Sequence, residues 1–103
     1  MKIGLIPLDD RPPCRLFPVK LGNIAGITVE TPERGLLGDT PKLSQWAEEK
    51  LSSWDHLIFS VDQVAYGGLV ASRKFNFSFE EAFARIRSFF HQLSRAEKIP
   101  VWA

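Results

Sequence analysis

Three short apolar runs fix most of what this chain can fold into: Ile3–Leu8, Ile27–Glu30 and His56–Val61. The first and last are nearly unbroken by polar residues. A strand exposed on one face alternates apolar and polar side chains; an unbroken run suits a strand covered on both faces, as in a parallel sheet. The stretches between the runs carry helical spacing. Parallel neighbours need a crossover of a dozen or more residues, usually a helix, and the intervals are long enough to supply one.

The crossovers read as follows. Pro18–Ala25 is expected to be a short helix, with Pro18 at its first position, Leu21, Ile24 and Ala25 on one face, and Gly26 as the left-handed stop. In Thr40–Ser53, Thr40 caps and Pro41 opens the helix, and Leu43, Trp46, Ala47, Leu51 and Trp54 line one stripe. Ser78–Glu97 opens on a capping box, Ser78 with Glu81, and repeats Phe79, Ala82, Phe83, Ile86, Phe89, Phe90, Leu93 and Ala96 at helical spacing. A fourth strand is expected at Ile99–Ala103. The predicted fold class is therefore α/β: a three-layer α/β/α, doubly wound parallel sheet of about four strands in the order 2-1-3-4, Rossmann-like or flavodoxin-like. Residues 1–103 form one domain. A parallel sheet normally continues past such a strand, so a truncated N-terminal portion of a longer protein is expected. An open fourth strand and an aromatic helix face then predict a homo-oligomer, associating through one or the other.

Composition narrows the partners. The 103 residues carry 13 basic and 12 acidic side chains. A cut after Ser52 leaves seven of each before it, and six basic and five acidic after it. Neither half is a basic patch, which argues against nucleic acid and against an anionic membrane surface. Cys14 is the single cysteine, so no disulfide and no Cys-based zinc site can form within one chain. The N-terminal apolar run is too short for a signal peptide, which makes the cytoplasm the expected compartment.

Ligands of an open parallel sheet bind outside the carboxyl ends of the strands, where the strand order reverses. In the order 2-1-3-4 that crevice lies between strands one and three. Asp9, Asp10 and Arg11 follow strand one; Asp62, Gln63, Tyr66, Gly67, Gly68, Ser72 and Arg73 follow strand three. Three carboxylates can hold a divalent cation such as Mg²⁺, or one of them can act as a general base. The competing reading is that Asp9 or Asp10 caps the next turn and the other pairs with Arg11 or Arg73. Gly67 and Gly68 permit positive φ and an exposed amide cradle for an anion, with Arg73 as a clamp. Neither nucleotide-binding glycine motif is present, and no cofactor is identified. Arg34, after strand two, reaches the crevice from one flank or pairs with Glu30 or Glu33. Tyr66 is a proton donor or a packing wall. His56, His91 and Cys14 read as structural.

The segments PLDDRPPCRLFPVKLGNIAGI, PERGLLGD and SVDQVAYGGLVASRK resemble an uncharacterised bacterial family, the domain-of-unknown-function family 4127. Its pattern is P-L-D-D-R-P near the start and S-x-D-x-x-x-Y-G-G-L-x-x-S-R after the third strand. The resemblance spans essentially the whole chain. It implies that this is the first part of a longer protein, and that the family's motif falls on Asp9, Asp10, Arg11, Arg34, Asp62, Tyr66, Gly67, Gly68, Ser72 and Arg73. It implies no reaction.

The expected function is the substrate-binding half of a hydrolase-like site for a small polar molecule. Asp10, Asp62 and Tyr66 are the candidate catalytic residues. Asp9, Arg11, Arg34, Gly67, Gly68, Ser72 and Arg73 are the candidate binding residues. The alternatives are a non-catalytic folded fragment or association module, and a receiver-like Mg²⁺-binding regulatory domain built on Asp9, Asp10 and Asp62.

Overall fold

The computed structural model describes residues 1–68, 78–95 and 100–103. Among these, β1 (Lys2–Ile6), β2 (Thr28–Glu30), β3 (His56–Phe59) and β4 (Val101–Trp102) form one sheet in the order β2-β1-β3-β4. Every pairing is parallel. The fold is α/β with the expected order. The helices are α1 (Leu16–Ile24), α2 (Thr40–Lys50), α3 (Val61–Tyr66) and α4 (Phe79–Arg95).

Strand ends are set by local chemistry. β1 stops at Ile6, two residues before the end of its apolar run, because Pro7 has no N–H to donate to the ladder. β3 stops at Phe59 because Ser60 caps a helix: its hydroxyl accepts from Gln63 N at 3.3 Å. Val61, expected in the strand, thus opens α3. Asp39, not Thr40, caps α2 by accepting from Lys42 N at 3.2 Å. Thr40 is inside the helix and spends its hydroxyl on Val64 O at 3.0 Å, tying α2 to α3. Ser78 accepts from Glu81 N at 3.2 Å, as the capping box of α4 predicts. Ala96 and Glu97, expected to extend that helix, and Ile99, expected to start β4, lie outside the described residues.

Register separates the two faces of the sheet. Gly4 pairs with Leu57 and Ile6 with Phe59, so these four share one face. Ile3, Leu5, His56 and Ile58 share the other, joined by Val29 through Ile3 and by Trp102 through Ile58. The core lies on the first face, where Ile6, Leu57 and Phe59 meet Leu43 and Ala47 of α2, Val64 of α3 and Phe89 and Leu93 of α4. Phe59 is its centre, 5.0 Å from the ring of Phe89 and 5.6 Å from that of Phe90. Burying one such side chain contributes about 1.5–3 kcal/mol. Trp54 packs over Gly4, where any side chain would collide with the indole. The apolar stripe of α2 is buried as expected, with Trp46 partly so and 5.1 Å from Trp54.

The stripe of α4 is wider than the surface beneath it. Ala82, Phe89 and Leu93 are buried, whereas Phe79 and Phe83, stacked at 6.0 Å, remain exposed. The larger departure is α1. It begins at Leu16, so Pro18 sits at its third position, where the N–H it lacks would have no helical acceptor. Gly22 faces the sheet: a Cβ there would lie 2.7 Å from Val29 Cγ2 and 2.8 Å from Ile27 O. The close approach of helix to strand requires glycine. Leu21 and Ile24, expected inside, therefore point outward.

Candidate functional site at the carboxyl edge of the sheet

Three segments meet beyond the carboxyl ends of β1, β2 and β3: residues 7–15, residues 31–39, and α3 with the glycines after it. Their junction is Gln63, a side chain only 1% exposed. Its Nε2 donates to Leu8 O at 3.2 Å, and its Oε1 accepts from Gly38 N at 3.1 Å. One amide thus satisfies a carbonyl of the first segment and an N–H of the second. Ser60 and Gln63 carry the capping-box spacing, yet Gln63 does not reach back to Ser60 N, which instead donates to Ile6 O at 2.9 Å. That frees the side chain for the two loops. The spacing S-x-x-Q is the signal that places Asp62–Tyr66 on a helix and singles out Gln63, where the sequence expectation is a loop.

The glycines serve the same junction. Gly67 ends α3 in the left-handed region at φ 95°, and its N–H donates to Gln63 O at 2.9 Å. A Cβ on Gly67 would stand 3.3 Å from Gly38 O, and one on Gly68 would stand 3.2 Å from Leu8 O. Both residues let backbones approach; the anion cradle expected of them is not what their contacts describe. Arg15, which sequence reasoning passed over, adds another tie by donating from Nε and Nη2 to Pro32 O at 3.3 and 3.2 Å.

The two halves of the PLDDRPP motif separate in role. Asp9 is held: its Oδ1 accepts from Arg11 N at 3.0 Å, and its Oδ2 lies 2.7 Å from both Arg11 Nε and Nη2. The Arg11 hydrogen bond lowers the Asp9 carboxyl below its ordinary value despite opposing desolvation, and Asp9 raises Arg11 in turn. Asp9 thus performs both tasks that the sequence reading divided between two aspartates. The chain then bends, with Cys14 N and Arg15 N both donating to Arg11 O. Burial first, and then Asp9, pushes the Cys14 thiol up, away from a reactive thiolate.

Asp10 is exposed, and its carboxylate makes no hydrogen bond or ion pair with the described residues. The same holds for Arg34, exposed in a 3₁₀ turn (Arg34–Leu36), and for the half-buried Asp62 side chain in the first turn of α3. Glu30 does not pair with Arg34. It forms ion pairs with Lys2 Nζ and Lys50 Nζ, each at 3.2 Å. Tyr66 closes α3 half-buried. Ser72 and Arg73 lie outside the described residues. Among the described residues no group of three or more His, Cys, Asp or Glu side chains is gathered to hold a metal ion. His56, read as structural, accepts at Nδ1 from Trp102 Nε1 at 3.4 Å on the far face of the sheet. No described helix is long and apolar enough to cross a membrane.

The model of the family described as "Protein of unknown function (DUF4127)" matches residues 3–103, essentially the whole chain. No curated protein and no solved structure matches it.

Proposed function

We propose that this chain, which belongs to the DUF4127 family of proteins of unknown function, forms the substrate-binding half of a hydrolase-like site for a small polar molecule. The observation that carries this reading is the division of labour around Gln63. One buried amide fixes the loops at the carboxyl edge, while Asp10, Arg34 and Asp62 on those same segments have no partner among the described residues. Polar side chains on a rigid frame, unused by the fold, are what a binding site requires.

The chemistry follows from the residue types. Hydrolysis needs a base to take a proton from water, an acid to protonate the leaving group, and a cation to stabilise charge developing on oxygen. Asp62 and Asp10 supply the carboxyl groups, Arg34 the cation, and Tyr66 a second proton donor. Ser72 and Arg73 extend the binding set on the sequence pattern alone. Asp9 and Arg11 contribute by shaping the first loop rather than by meeting substrate, since each occupies the other.

A panel of chromogenic esters, glycosides and phosphomonoesters tests this. Asp62→Asn and Asp10→Asn are expected to lower turnover of the substrate accepted by about 100-fold or more. The urea midpoint should stay unchanged, because neither side chain holds the fold. Unchanged turnover in both variants overturns the assignment.

A further inference from the structure

Helix α1 carries an apolar stripe that points away from its own sheet. Phe17, Leu21 and Ile24 recur at i, i+4 and i+7, and are 51%, 66% and 84% exposed. Gly22, on the opposite side of the helix, takes the sheet contact against Val29. The sheet under α1 has the complementary defect. α1 packs on β2, on the face that carries Ile3 and Val29. Farther along that face, Ile58 of β3 is 40% exposed and Trp102 of β4 is 58% exposed, beside the half-buried Leu5. Parallel sheets are found almost only with both faces covered. Among the described residues, an apolar helix face without a sheet and an apolar strip of sheet without a helix therefore lie side by side in one layer.

We propose that two copies of this chain associate about a two-fold axis through this layer, α1 of each protomer covering the β3–β4 strip of the other. The two α1 helices then lie side by side between the sheets, and one self-complementary patch serves both subunits. The area suffices. The exposed fractions of Phe17, Leu21, Ile24, Ile58 and Trp102 are equivalent to three fully exposed large side chains. At about 200 Å² for each, this is roughly 600 Å² per protomer and ~1,200 Å² for the pair, the lower bound of specific interfaces. A patch of that size is at the upper end of what monomers commonly leave open. The interface is independent of the site at the carboxyl edge, and differs from both surfaces that the sequence suggested, the edge of β4 and the aromatic face of α4.

Sedimentation equilibrium over a dilution series tests it. The wild-type chain is expected at twice its monomer mass at the concentrated end. Ile24→Glu and Trp102→Lys, each at an exposed position, are expected to give the monomer mass with unchanged far-ultraviolet circular dichroism. Phe83→Glu, on the exposed edge of α4, should leave the dimer intact. A wild-type chain that stays monomeric throughout overturns the proposal and gives the layer to a different occupant. Dissociation by Phe83→Glu but not by Ile24→Glu overturns it in favour of α4.

Discussion

The two faces of the sheet are built from alternate residues of the same strands, yet they end in different environments. On one, Ile6, Leu57 and Phe59 disappear beneath α2, α3 and α4. On the other, Ile58 and Trp102 stay open, and α1 is the one helix that the described residues place there. The difference lies in the direction of the crossovers rather than in hydrophobicity. The connection from β1 to β2 steps one way along the sheet, and those from β2 to β3 and β3 to β4 step the other way. Right-handed crossovers of opposite direction put their helices on opposite faces. Among the described residues, α2, α3 and α4 therefore pack one side and the short α1 the other.

Neighbouring residues of β3 give the sharpest test. Phe59→Ala should destabilise the chain by about 3–5 kcal/mol, since it empties the centre of the core. Ile58→Ala, one residue earlier and facing the other way, should cost the dissociated chain about 1 kcal/mol or less, because its side chain is already 40% exposed. Urea denaturation at low protein concentration measures both, and comparable losses would break the contrast between the faces.

A smaller effect is expected at the carboxyl edge. Gln63→Ala leaves Leu8 O and Gly38 N without their partner and should cost about 1–3 kcal/mol. Faster exchange of the Gly38 amide would locate that loss at the junction, whereas protection equal to wild type would show that the loops hold together without the side chain.

The smallest expected effect is acid-dependent and concerns β2. Burial works to raise the Glu30 carboxyl, but Lys50 and Lys2 outweigh it, and the net shift is below its ordinary value of 4.5. A lowered folded value means that the stabilisation is present above the unfolded value and fades as pH falls through the folded one. Urea midpoints recorded from neutral pH into that range should fall less steeply for Glu30→Gln than for wild type. Parallel curves would remove the ion pairs from the account of the sheet.

Much of this was legible in the chain. The apolar runs locate β1, β2 and β3, and right-handed crossovers in a doubly wound sheet favour the order 2-1-3-4 that the structure has. The capping box at Ser78 gives the start of α4. At the site, the motif segments do meet at the carboxyl edge, and Asp10, Arg34 and Asp62 are on them. The errors were of two kinds. Ser60 was read as strand and Asp62–Tyr66 as loop, although the S-x-x-Q spacing was there to be used. Gly67 and Gly68 were read as ligand-facing because glycine reports only that something approaches closely; whether that is an anion or the backbone of Gly38 and Leu8 is not written locally.

The sequence by itself determined where β1, β2 and β3 run and where the helical stretches of α2 and α4 lie. Periodicity, proline and caps act over about four residues, within reach of the local chain. Only the tertiary structure decided which side of α1 is buried and what Gln63 holds. Gly22 was preferred over Leu21 and Ile24 because β2 runs too close beneath the helix for a side chain. Gln63 found its partners 25 and 55 residues away, at Gly38 and Leu8. Contacts of that span exist only once the sheet has brought the ends of β1, β2 and β3 together.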